Sequence, residues 1–444
     1  MDSLRSRKNI ALAGLICVHI AVCCVSLVYV AHRFPGSPAG SYDPGQFHIF
    51  YHGSQLQSAL VAVAAFAPIA LLFVFARFSF GYFAGFYLYT MILGFLWLGR
   101  LTDLTYDHRL AELSAAASAI AFLLPCLLIT SPVRQRYVLS IAAFDRLLIA
   151  IVLLGAVTIL AGASYNFQFV GIEQIYEYRD RLAQPAALGY AIGITSSALL
   201  PFAFAGFIAR KAYWRAGAVL PLLVLFYPIT FSKLGLFAPL WLVAIWLLSK
   251  LVEARLAVVL SLLVPITVGL LLVSVLPPHG VPYLYFSVVN FRMVAIPSVA
   301  MDVYNDFFAG HEHTWFCQIS FLKHVMSCPY RDPLSIVMER AYKIGNFNAS
   351  LFATEGVASV GSWLAPVSAF VCGLVIALGN RLSAGLPAGF VLVSGAVIPQ
   401  VLLNVPLTTA LLTHGGGLLL LLWYVTPRAI FEPVPVAQPA APAA

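Results

Sequence analysis

Charged residues are scarce in this chain. Asp, Glu, Lys and Arg supply 9% of its 444 residues, where an ordinary soluble domain carries about 25%. A water-facing globule of this size is thereby excluded, because too little of its surface would be ionised. Two further features are missing: an internal repeat, and any Asp-x-Asp triplet in the polar segments between apolar runs. The first absence argues against a transporter built from two related halves. The second removes a familiar seat for a divalent metal in nucleotide-sugar transferases, so no metal and no cofactor are expected.

What the chain does hold is hydrocarbon, with 61% of its residues hydrophobic. A bilayer crossing takes about 20 apolar residues. The sequence predicts twelve, near 10–31, 57–76, 79–99, 113–130, 142–163, 187–208, 217–231, 234–249, 256–277, 356–378, 386–407 and 409–426. The expected fold class is an all-α polytopic integral membrane protein. One transmembrane domain covers 1–430, and 431–444 forms a disordered Pro/Ala tail. The first run is long enough to span, so it is expected to double as an uncleaved insertion signal.

The net charge of +8 reads as a topology signal rather than a nucleic-acid footprint. With the N-terminus in the cytoplasm, inner segments hold 14 basic and 4 acidic residues; outer segments hold 11 and 13. Basic residues favour the cytoplasmic side, so both termini are expected there. The polar mass then faces outward, chiefly in loops 164–186 and 278–355.

The larger loop opens with RMVAIPSVAMDVYNDFFAG. As a helix, 292–308 puts Ile296, Val299, Ala300, Val303 and Phe307 on one face, with Ser298, Asp302 and Asn305 on the other. That pattern predicts either an amphipathic helix in the membrane interface, capping a cavity with Arg292 at its mouth, or a plain surface connector. Lys323, Arg331, Arg340 and Lys343 follow. Guanidinium forks bind phosphate oxygens in pairs; the alternative is ordinary pairing with Asp306, Asp332 or Glu339. Asn348 and Glu355 are seven apart and would share a helical face. Glu355 lies about one turn from hydrocarbon, where a carboxylate is partnered or functional. Cys317 and Cys328 are expected to form a disulfide outside the cytoplasm. HEH at 311–313 lacks the framework of a metal site.

The smaller loop, GIEQIYEYRDRLAQ, is the densest charged stretch. Glu173 and Glu177 fall one turn apart on a helix, and a carboxylate beside apolar surface makes a general base. Glu177 and Arg181 have the spacing of a simple salt bridge as well. Lys233, alone between two apolar runs, either snorkels outward or faces a cavity as a counter-ion for phosphate.

Together these pieces resemble the bacterial O-antigen or exopolysaccharide repeat-unit polymerases of the Wzy type. The likeness rests on about a dozen spans with both ends inside, IYEYR, FSK, Arg292, YNDFF and NASLFATEGVASVG. It implies a fold similar to the GT-C membrane glycosyltransferases and residence in the bacterial inner membrane. It also implies an undecaprenyl-diphosphate-linked oligosaccharide as substrate, with a chain-length regulator and a flippase as companions. Arg179, Arg181, Lys233, Arg292, Arg331 and Arg340 would bind the diphosphate, and Glu173, Glu177 or Glu355 would take the acceptor's proton. The eleventh residue after Arg292 is Val303, where the family's Arg-containing motif has glycine. Rival readings are an O-antigen ligase or other membrane glycosyl or acyl transferase, and a lipid-linked saccharide flippase or transporter. His414, in LLTHGGG, reads as a helix-packing histidine.

Overall fold

A computed structural model describes residues 2–33, 44–171, 178, 184–277, 280–319, 321–323 and 325–432. Among these residues there is no strand, only a single bridge between Ile49 and Thr102. Eleven helical stretches among the described residues are long and apolar enough to cross a membrane, which makes the chain a multi-pass membrane protein in contact with lipid. Ten of them coincide with expected runs. These are α1 (Arg7–His32), α2 (Gly53–Phe75), α3 (Phe80–Leu98), α4 (His108–Leu128), α5 (Ile141–Ala163), α6 (Ala186–Ala209), α7 (Tyr213–Thr230), α8 (Lys233–Leu251) and α9 (Ala254–Val275), with Phe352–Ser383 after them. The eleventh, α10 (Val281–Gly310), precedes a short α11 (Leu334–Tyr342), and α12 is Phe352–Ser383.

The last two expected crossings, 386–407 and 409–426, are each interrupted. They form α13 (Ala388–Ser394), α14 (Ile398–Leu402), α15 (Leu407–Leu412) and α16 (Gly416–Val425). Pro399 and Pro406 supply no amide hydrogen, and Gly415 takes a left-handed φ of 73°. Such breaks are tolerated at membrane depth only where protein or a cavity receives the freed backbone groups.

The bundle is built around α3, every residue of which is buried. It packs on α1, α2, α4, α9, α10 and α12. Gly94 on α3 is where Ser298 approaches; a Cβ there would strike the Ser298 hydroxyl. One end of the bundle is basic. There Arg255 Nη1 donates to Val74 O at 3.1 Å, Asn9 Oδ1 at 3.3 Å and Ala76 O at 3.4 Å, joining the starts of α1 and α9 to the end of α2. Arg210 meets Asp145 at 2.8 Å on the same side. Loops gather at the opposite end. Phe50 N donates to Leu101 O at 2.7 Å, Thr105 N to Asp306 at 3.0 Å, and Asn166 to Pro228 O at 2.9 Å. Each of these bonds joins segments that the charge count assigns to one side.

The stretch 292–308 departs from the amphipathic expectation. Both of its faces are buried, with Ser298, Asp302 and Asn305 as enclosed as Val299 and Val303. Ser298 Oγ donates to Met91 O at 3.0 Å, the Tyr106 hydroxyl donates to Asp302, and Asn305 Oδ1 accepts from Ser362 at 3.2 Å. The polar stripe therefore meets protein instead of water. Helix α10, about 45 Å long by its 30 residues, touches Ser26 and Tyr29 of α1, Met91 of α3 and Ile266 of α9. All lie in the halves remote from the basic end, so α10 runs obliquely across the loop end.

Beyond α10 the loop is stapled by a disulfide between Cys317 and Cys328, with Cα atoms 5.4 Å apart. Its backbone docks on α12 beside Gly361, whose φ of 75° and ψ of 166° break that helix. A Cβ at Gly361 would sit 2.8 Å from His313 Nε2. Gly361→Ala is expected to cost about 1–3 kcal/mol, the usual strain of a side chain in this glycine region. A lowered thermal midpoint in detergent, against an unchanged Gly189→Ala control whose Cβ meets open space, would register it.

Candidate active site

Arg292 and Glu355 come from different ends of the large loop, and the fold seats them on one short segment. That segment is NVPLT, 404–408, at the break before α15. The Arg292 Nη1 donates to Asn404 Oδ1 at 3.2 Å. At the other end Glu355 Oε1 accepts from Thr408 N at 3.1 Å and from Thr408 Oγ1 at 3.4 Å, while Thr354 Oγ1 donates to Oε2 at 2.6 Å. Asn404 and Thr408 are four residues apart, so their Cα atoms lie within about 15 Å of each other.

Local backbone explains why these side chains turn inward. Arg292 lies in a π-helical stretch, Ser287–Ala295, and Glu355 in another, Phe352–Ala358. A π-turn holds one extra residue, which shifts the side-chain face and releases backbone groups; it recurs at functional sites. A third such stretch, Thr195–Leu199, places Ser197 Oγ 3.3 Å from His414 Nδ1. The Thr408 amide is free for Glu355 because α15 begins at Leu407, and the first amides of a helix have no intrahelical partner.

The two groups differ in exposure. Arg292 is half-buried, and among the described residues it makes no hydrogen bond besides that to Asn404, which leaves most of its five donors uncommitted. Glu355 is buried and, among the described residues, forms no ion pair. Its side-chain partners are two threonines, Thr354 and Thr408. Asn348 does not share its face. The stretch 343–350 is not helical, and Asn348 is exposed.

The remaining cations lie elsewhere or outside what is described. Arg331 and Arg340 are exposed, and Arg340 pairs with Asp332 at 2.5 Å, the ordinary ion pair that sequence allowed. Lys233 begins α8 and is half-buried. Phe231 beside it meets the ring of Tyr178 at 6.0 Å, so FSK neighbours the one described residue of IYEYR. Glu173, Glu177, Arg179 and Arg181 fall outside the described residues. His311 is stacked on Phe307 at 3.9 Å, His313 lies on Gly361, and among the described residues no three His, Cys, Asp or Glu gather as a metal site.

A second polar cluster braces α10 at the loop end. The Tyr342 hydroxyl donates to Asp306 at 2.6 Å, and His48 Nδ1 lies 2.7 Å from Asp103. Burial, reinforced by Asp302, pushes the Tyr106 hydroxyl above its ordinary range, as burial and Asp306 do for Tyr342. Both phenols therefore remain donors, Tyr106 holding α10 to the loop before α4 and Tyr342 holding it to α11. Asn404 and Thr408 are the site residues that sequence reading missed. Their signal was Asn-x-Pro inside an apolar run, which marks a broken helix with polar groups turned inward.

No protein family, curated protein or solved structure matches this chain.

Proposed function

We propose that the chain is a bacterial inner-membrane glycosyltransferase that polymerises undecaprenyl-diphosphate-linked oligosaccharide repeat units on the periplasmic side. The observation that carries this reading is the seating of Arg292 and Glu355 on the one short segment NVPLT, a cation with spare donors and a buried carboxylate anchored at its two ends. In the reaction, a sugar hydroxyl of the acceptor attacks the anomeric carbon of the donor glycan. The new glycosidic bond forms as the bond to the lipid diphosphate breaks. Arg292 stabilises the charge that gathers on the departing diphosphate, and Glu355 takes the hydroxyl proton. Arg179 and Arg181 belong to the diphosphate side by the family likeness, Lys233 joins them as a lone cation between two apolar runs, and the GT-C-like class is part of the same proposal.

Orientation has two independent supports. Disulfides persist in oxidising compartments, and Cys317–Cys328 lies in the loop between α10 and α12. The basic excess lies at the other end. The test is the surface polysaccharide of a deletion strain. Lipid anchors capped by single repeat units are the expected result. Long polymer left unattached to its lipid core would point to a ligase, and polymer of normal length on its core would sink the proposal.

A further inference from the structure

The disulfide-closed segment presents large apolar side chains to its surroundings. Trp315, Phe321 and Val325 are 53%, 62% and 76% exposed, with Met326 and the exposed Lys323 beside them. Large apolar side chains exposed this close together in the chain mark an interaction surface. It stands on a built scaffold. Cys317 is fully buried, and the Gln318 amide donates to Tyr330 O at 3.1 Å and Asp332 O at 3.3 Å. The amides of Lys323, Val325 and Met326 bond to the carbonyls of Ile319 and Leu322.

The depth of this patch follows from its attachment to α12. Thr314 N donates to Ala358 O at 2.8 Å, and Trp315 N donates to Ser359 O at 3.0 Å. Arg381 marks the basic end of α12. About 20 helical residues cross the roughly 30 Å hydrocarbon core, and counting back from Arg381 reaches Gly361. Just inside that level Trp363 is 80% exposed, with Leu364 and Val367 exposed on the same lipid-facing surface. Trp315 is thus bonded to backbone within one turn of the hydrocarbon boundary. Tryptophan favours this level, and lysine there meets lipid phosphates. Continuity with the lipid-facing surface of α12 identifies the occupant.

We infer that Trp315, Phe321, Val325 and Met326, beside the Cys317–Cys328 disulfide, form an interfacial anchor seated among phospholipids of the leaflet at the loop end. Phe321, Val325 and Met326 enter the headgroup–acyl boundary, and Lys323 lies against phosphate. This anchor holds the outer part of the loop at a constant height above the bilayer. The test places the photo-crosslinker benzoylphenylalanine at Phe321 of the full chain, in vesicles of phosphatidylethanolamine and phosphatidylglycerol. The same crosslinker at the exposed Asn346 serves as control. After illumination, the Phe321 sample is expected to gain the mass of one phospholipid and the Asn346 sample not to. Absence of lipid adduct at Phe321, or adducts to protein alone, would overturn the anchor. Neither outcome bears on the glycosyltransferase reading, which concerns Arg292 and Glu355.

Discussion

Arg292→Ala is expected to lower polymer synthesis by about 100-fold or more with the protein level unchanged. Removing one donor aimed at developing negative charge typically costs 10²–10³ in rate. The loss should appear in the turnover rate more than in the apparent affinity for the lipid-linked donor, because the charge on diphosphate grows as its bond to sugar breaks. Arg292→Lys should recover only part of the activity. An ammonium keeps the charge but loses the two-pronged geometry. Folding gives no competing explanation for a large defect. Arg292 is half-buried, and its one bond among the described residues is to Asn404 at 3.2 Å. Normal chain length in the Arg292→Ala strain would remove this arginine from the chemistry.

Glu355→Gln is expected to fall further, by about 10²–10⁴-fold, the usual worth of a positioned general base. This substitution separates two roles. The carboxylate also caps α15, since Thr408 N donates to it at 3.1 Å. A glutamine oxygen can accept that same bond, so the cap, the fold and the thermal midpoint should survive. A cap alone would leave the Gln variant active. Loss of activity in a variant that melts normally is what proton transfer requires. Unimpaired synthesis by Glu355→Gln would reduce Glu355 to a structural group.

The apolar runs made ten crossings legible, because about 20 hydrophobic residues in a row have few other ways to be satisfied. Run length fails where polar punctuation sits inside hydrocarbon. Pro399, Pro406 and Gly415 break the final two runs into four helices, and length alone does not register them. The stretch 292–308 shows a different limit. Its apolar face was real, but periodicity cannot say whether the polar face meets water or protein. Ser298, Asp302 and Asn305 have partners far away in sequence, at Met91, Tyr106 and Ser362.

For the site, Arg292 and Glu355 stood out in the sequence because ionisable groups next to hydrocarbon need a reason. Asn404 and Thr408 are ordinary polar residues there, and only the fold reveals what they join. Arg331 and Arg340 carried the same signal as Arg292, but exposure and the Asp332 pair set them apart.

The π-turns at 287–295 and 352–358 bear on how this protein can change over evolutionary time. Each contains one residue beyond what a regular helix would use. A single codon lost from either stretch lets the helix relax to its usual pitch, and everything on one side then rotates by about 100° relative to the other. Arg292 or Glu355 would swing off NVPLT without any point substitution at the site. Descendants of this gene can vary freely in the identity of many neighbours, while the spacing through these two stretches has to be inherited intact.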